Sequence, residues 1–240
     1  MNAKELFQAG KLDDAIQALV SEVKNHPADA SRRIFLFELL CFAGDYDRAS
    51  KHLEVVAQGD EKAELGALVY RAALAAEKTR QETFEKKEYR KPGAEAPPPL
   101  SGSLNGKPFA SLSDADPRLG ARLEVFAAGS YLWIPFEHLA SVEMQPPKRL
   151  RDLLWMPATV RTGPSFKGTD FGEVLLPALS PFSWQFPEDA VRLGRETAWV
   201  KADGDNEEIP LGQKLLLVDG EEFPFLELRQ LEFAPAPAFP

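Results

Sequence analysis

Few residues in this chain have the chemistry for catalysis or metal binding. There are three histidines (His26, His52 and His138) and one cysteine, Cys41. Nucleophilic catalysis needs a Ser, Cys or Thr beside a base, and acid–base catalysis needs positioned carboxylates or histidines. The closest approach to such a set is Glu137 with Asp152, a carboxylate pair that could serve an unrecognised hydrolase. Asp114-Ala-Asp116 has the spacing of a metal-binding pair, but nothing nearby supplies a third ligand. The same stretch reads more simply as a helix start or turn, with Asp116 as N-cap and Pro117 at the first helical position. The chain contains no Gly-x-Ser-x-Gly, phosphate loop, His-Glu-x-x-His or Gly-x-Gly-x-x-Gly. Cys41 reads as a small buried apolar residue, and one cysteine gives neither a disulfide framework nor a multi-cysteine metal site. The expectation is a non-enzymatic protein with no cofactor and no metal.

The elements that position these residues begin with an internal repeat. Gly10-Lys-Leu-Asp-Asp-Ala15 returns 34 residues later as Gly44-Asp-Tyr-Asp-Arg-Ala49, and Leu19 maps onto Leu53. That period and spacing resemble the tetratricopeptide repeat. The glycine closes a turn between antiparallel helices, the alanine lets the second helix approach the first, and Pro27 ends the second helix. Residues 2–9 and 11–26 form the first expected pair, and 30–43 and 46–57 the second. A helix from about Glu61 supplies half of a third unit, with Ala67, Tyr70 and Leu74 at packing positions. Lys78 stands where the turn glycine would be, so this helix runs on to about residue 90. Its tail, charged nearly all round, reads as a solvated strut or tether. Such repeats bind peptides in the groove lined by the first helix of each pair. Position by position, that groove presents Phe7, Ser31, Ile34, Glu38, Cys41, Leu68 and Ala72. The alternative is that several of these pack against the rest of the chain, on which so short a stack would lean.

Residues 1–91 form the helical domain in this reading, 92–108 a Pro/Gly-rich linker, and 109–240 a mostly β domain. Pro92 to Leu100 gives an extended connection and Asn105-Gly106 a turn. Leu123–Ala127 and Tyr131–Pro135, around Ala128-Gly129-Ser130, read as a hairpin. Strands are expected at 139–144, 155–160, 172–179, 190–200, 215–218 and 223–233, while 150–155 is ambiguous between a helical turn and a strand. Short strands with frequent turns indicate a barrel or a bent sandwich. Pro135, Pro157, Pro177 and Pro210 belong at strand ends or edges. Tyr131–Trp155 is either core or an aromatic docking surface; the turn spacing favours core, anchored by Trp133, Trp155 and Trp199. Arg151-Asp152 and Arg195-Glu196 suggest ion pairs that hold the sheet together. The fold class is α+β.

Charge is uneven. Residues 1–91 hold 15 Lys and Arg against 16 Asp and Glu, whereas residues 92–240 hold 13 against 21. An acidic C-terminal part is a poor neutraliser of phosphates, which argues against nucleic acid as a partner. The N-terminus has no apolar leader, and no stretch is apolar for the roughly 18 residues that suggest a membrane span. A cytoplasmic protein without a membrane partner is the expectation.

Several motifs together resemble the ImpE family, also called SciE-type or TagJ proteins, which are accessory proteins of bacterial type VI secretion. They are Asp114-Ala-Asp-Pro-Arg-Leu-Gly, Leu123-Glu-Val, Tyr131-Leu-Trp-Ile-Pro-Phe-Glu, Leu150-Arg-Asp-Leu-Leu-Trp-Met-Pro-Ala and Leu193-Gly-Arg-Glu-Thr-Ala-Trp. The resemblance extends to Arg33-Ile-Phe-Leu-Phe-Glu-Leu-Leu40 and Gly212-Gln213, essentially the whole chain. Gly10, Ala15, Gly44 and Ala49 of the repeat, with Trp133, Asp152, Trp155, Arg195 and Trp199 of these motifs, make up the structural signature. It implies a non-enzymatic adaptor that binds the N-terminal helix of the small contractile-sheath subunit, TssB, and is linked to sheath handling by the unfoldase ClpV. The alternative is a general protein-interaction scaffold outside secretion.

Overall fold

The computed structural model describes residues 1–59, 61–89, 100–166, 168, 170–201 and 207–234. Five helices come first: α1 (Ala3–Gln8), α2 (Leu12–Asn25), α3 (Ala30–Phe42), α4 (Tyr46–Ala57) and α5 (Glu61–Glu85). Side chains explain where they start. Asn2 and Glu5 form a reciprocal capping box on α1, while Asp29 and Asp45 accept the backbone N–H of Arg32 and Arg48 at the starts of α3 and α4. The repeat is visible in the backbone, since Gly10 and Gly44 take φ of +76° and +72° at equivalent turns, a left-handed conformation that glycine adopts without strain. Ala15 and Ala49 are both fully buried where α2 and α4 meet their partners.

Among the described residues thirteen strands follow. The first eight are β1 (Gly102–Leu104), β2 (Lys107–Phe109), β3 (Leu112–Asp114), β4 (Arg122–Ala127), β5 (Ser130–Pro135), β6 (Leu139–Met144), β7 (Trp155–Thr162) and β8 (Gly172–Pro177). A one-turn helix α6 (Asp189–Arg192) precedes β9 (Thr197–Lys201), β10 (Glu208–Gly212), β11 (Leu215–Val218), β12 (Glu221–Pro224) and β13 (Gln230–Phe233). Eight strands form one antiparallel sheet in the order β2-β1-β13-β6-β7-β8-β4-β5. A three-stranded sheet, β12-β11-β3, shares its core, which gives the sandwich form of the two expected architectures. β9 and β10 make a separate two-stranded ribbon.

Several expectations change. The Pro-rich start of the expected linker lies outside the described residues, but β1 and the first two residues of β2 fall within its 92–108 span, and both strands belong to the large sheet. The expected strand at 190–200 is a helical turn followed by β9, and 150–153 is a 3-10 turn leading into β7. Asp116 caps no helix; it accepts N–H bonds from Arg118 in a turn, while its own N–H goes to Asp114. Pro157 lies inside β7 but beyond the end of β6, whose pairing begins at Ala158, so it has a ladder neighbour on one side only. Trp199 is no core anchor: it is 39% exposed on β9.

The charged second half of α5 is not a solvated strut either. Glu77, Arg80 and Phe84 are buried beneath the β-rich part. A single hydrophobic cluster joins the helices to that part, combining Leu36, Phe37 and Leu40 of α3 with Phe126, Leu154, Trp155, Leu179 and Leu193. Trp155 therefore anchors the junction rather than the β core. It stacks on Tyr70 of α5 with ring centroids 6.4 Å apart. Among the described residues no helix is long and apolar enough to cross a membrane.

Candidate functional site

The β-rich part grips the turns of both repeats. Arg195 donates to the carbonyls of Phe7 and Gln8 at 2.7 and 3.2 Å and lies 5.3 Å over the Phe7 ring, so it satisfies exposed acceptors at the end of α1. Asp189 of α6 accepts the first N–H of α2, from Leu12, at 2.8 Å, and Arg192 pairs with Asp13 at 3.0 Å. At the second turn Trp184 lies against Gly44, where even a β-carbon would come within 2.4 Å of the indole. Arg151 closes the middle: it is 3.1 Å from the Glu38 carboxylate and 4.6 Å above the Tyr70 ring. Arg151 and Arg195 thus tie sheet to helices instead of holding the sheet to itself. Asp152 accepts the backbone N–H of Lys148 and Arg149 and fixes the turn that aims Arg151.

This grip decides how much of the expected peptide groove stays open. Cys41 is buried against Leu154, Trp155 and Leu179, and burial pushes its thiol pKa well up. Glu38 is buried too, and loss of water raises its pKa although Arg151 pulls the other way. Phe7 is half-buried beneath Arg195 and against Phe35. Ile34 is half-buried and Ser31 exposed, but neither lines a cavity with the others. In the first two units, then, the chain's own β-rich part occupies the concave face. Glu38 and Cys41 are packing residues.

Beneath α5 lies a buried charge cluster that sequence reasoning missed. Arg80 donates to both carboxylate oxygens of Glu124 at 2.7 and 2.9 Å, to Glu77 at 3.2 Å and to the Leu179 carbonyl at 2.9 Å. Lys214 binds Asp114 at 2.7 Å and also contacts Glu124. Tyr131 donates to Glu124 at 2.6 Å, Trp133 donates to the Tyr131 oxygen, and the Trp155 indole donates to Glu77 at 3.1 Å. Burial would raise Glu124, but Arg80 and Lys214 outweigh it and hold its carboxyl well below the usual range. Two cations face three carboxylates, which leaves one negative charge in excess. It falls on Asp114, where burial outweighs Lys214 and pushes the pKa up to about 6. Every member is engaged by its neighbours, so the cluster reads as a fastening of α5 to β4.

The open surface lies elsewhere. A groove of about 780 Å³ runs between the first half of α5 and the exposed part of the large sheet. One wall is Leu68, Val69 and Ala72 of α5, and Leu65, one turn earlier on the same helix, continues their apolar stripe at i, i+3, i+4 and i+7 beyond the groove. Leu65, Leu68 and Val69 are 61%, 59% and 50% exposed, an unusual amount of apolar surface for one helix face. The floor follows from register: Phe126, Leu175 and Pro157 are cross-strand partners on β4, β8 and β7 and share one face. Along β7 that face opens beyond Trp155, which is buried under the helices: Pro157 and Arg161 are exposed and Thr159 is half-buried. Met156, Ala158 and Val160 alternate onto the opposite face, inside the sandwich. The end of the groove is shaped by the β4–β5 turn, where Gly129 approaches Ala72 closely. Leu68 and Ala72 are the expected binding residues that the structure brings together.

The carboxylate pair considered for hydrolysis is split between two turns. Asp152 is committed to backbone N–H groups, while Glu137 sits 3.8 Å from His138 on the turn after β5. The His138 ring is 3.0 Å from the Ser165 hydroxyl, which itself donates to the Glu137 carbonyl, so the hydroxyl proton points away from the imidazole.

Three comparisons bear on this arrangement. The family model described as ImpE protein matches residues 106–232. A curated relative from Pseudomonas aeruginosa, the type VI secretion system accessory component TagJ, is 34% identical, with 99% of this chain and 93% of the relative aligned. The crystal structure of protein VPA1032 from Vibrio parahaemolyticus superposes with a TM-score of 0.84 at 23% identity, covering 98% of each chain, a likeness of fold alone.

Proposed function

The chain belongs to the ImpE family, and from that premise we propose that it is a non-enzymatic accessory adaptor of a type VI secretion system. It works in the cytoplasm, and its groove receives the N-terminal helix of the small sheath subunit, TssB, presenting it for handling by the ClpV unfoldase. The observation that carries this reading is the groove between α5 and the sheet. Its floor is built from strands paired on both sides, so an occupant cannot add to the sheet by backbone hydrogen bonds. An extended peptide lying there would leave its own N–H and C=O groups unpaired against apolar side chains, whereas a helix satisfies them internally. The apolar stripe of α5, of which Leu68, Val69 and Ala72 line the groove, is also a surface into which a second helix packs its ridges.

The test is calorimetric titration with a peptide of the TssB N-terminal helix. Leu68→Asp is expected to weaken binding more than tenfold, because a carboxylate placed in an apolar contact loses hydration without gaining a partner. Ser31→Asp, at an exposed position away from the groove, should bind like the wild type. No heat from the wild-type protein at near-millimolar peptide would overturn the proposal.

A further inference from the structure

The groove is apolar in the middle, yet four charged side chains open onto it: Glu143 and Glu173 from the sheet, and Lys148 and Arg149 from the loop after β6. The register fixes the acidic pair. Thr159 of β7 is the partner of Glu143 on β6 and of Glu173 on β8, so both carboxylates stand on the groove face with one strand between them, roughly 10 Å apart at the backbone. All four residues are exposed, and among the described residues none of the four side chains takes part in an ion pair. Some surface charges are matched, as in Arg71 with Glu54, Lys78 with Asp47 and Arg48 with Asp45. Around this groove, charges of both signs are left without ion-pair partners.

We propose that the groove selects a helix of mixed charge. Its apolar stripe lies against Leu68, Val69 and Leu175. A Lys or Arg of the helix meets Glu143 and Glu173, and an Asp or Glu meets Lys148 and Arg149. The inference rests on the proposed function and adds to it the chemistry by which the right helix is recognised. Apolar contact supplies most of the affinity without discriminating one amphipathic helix from another. Unpaired charges at the rim reject helices that present like charge there, and they steer the correct one into place.

The experiment uses the full chain and the TssB N-terminal helix peptide, with affinity measured at about 50 mM and about 500 mM salt, since screening at the higher value is nearly complete beyond contact distance. Two variants are compared with the wild type: Glu143→Lys with Glu173→Lys, and Lys148→Glu with Arg149→Glu. Each reversal is expected to weaken binding about tenfold at low salt and less than about threefold at high salt, as rim charges do. Reversing the facing charges of the peptide should restore affinity for the matching variant. If both variants bind like wild type while Leu68→Asp still abolishes binding, the charge selection is wrong and the groove stands. A loss that persists undiminished at high salt also overturns the selection. A peptide that fails to bind the wild type overturns the groove itself.

Discussion

Replacing Arg80 by methionine tests whether the buried cluster fastens α5 to the sheet. The side chain is 1% exposed and makes four hydrogen bonds, two of them to Glu124. Methionine keeps much of the volume and removes the charge, leaving Lys214 as the one cation among Glu77, Glu124 and Asp114 and the Leu179 carbonyl without its donor. Breaking a buried pair from one side costs about 3–5 kcal/mol, and the existing excess of negative charge places this case at the upper end. Against a typical total of about 5–15 kcal/mol that is a large fraction. Urea denaturation should show the midpoint falling sharply. Because helices and sheet share one hydrophobic cluster, helical circular dichroism and tryptophan fluorescence should move together. Adding Glu124→Gln removes one of the stranded carboxylates, so the double variant should be more stable than the sum of the single effects by about 1–3 kcal/mol. A loss below about 1 kcal/mol, or strict additivity in the double variant, would refute the reasoning.

Other consequences can be checked separately. Asp114, with its pKa raised to about 6, keeps a proton that the unfolded chain releases near pH 4, so its contribution to stability declines as pH rises from about 4 to about 6, by up to roughly 3 kcal/mol. Asp114→Asn should flatten that decline in denaturation midpoints measured across the window. Gly44→Ala meets both a φ of +72° and a β-carbon 2.4 Å from Trp184, and should cost more than about 2 kcal/mol by thermal melting. Gly106→Ala, with φ of +79° but open space around it, should cost only about 1 kcal/mol. The Cys41 thiol, buried with its pKa pushed well up, should react with a thiol reagent at pH 8 only at the rate of protein opening, and fully in denaturant, as read by absorbance.

The helices were legible because their signals are local. The Gly and Ala of each repeat and the Ala128-Gly129 turn act within a few residues, and the elements formed where those signals lie. The tail of α5 was misread for the opposite reason. Arg80 is buried by Glu124, Lys214 and Asp114, residues more than 30 positions away in the β-rich part, and a charge meant for a distant countercharge looks like any solvated charge in a window of sequence. The groove residues divided on the same ground. Spacing placed Glu38, Cys41, Leu68 and Ala72 on one repeat face, but Arg151, Trp155 and Leu179 cover only its first part. Glu143 and Glu173 could not be picked out at all, because their shared face depends on the register of three strands.

The 25 residues of α5 form a rod roughly 37 Å long, with the open stripe toward one end and the Arg80 anchorage toward the other. A helix carries tension along its axis through its whole hydrogen-bonded ladder. A pull on a partner seated at Leu68 would therefore travel down the rod and load the bonds between Arg80 and Glu124 together, in shear, instead of peeling them one at a time.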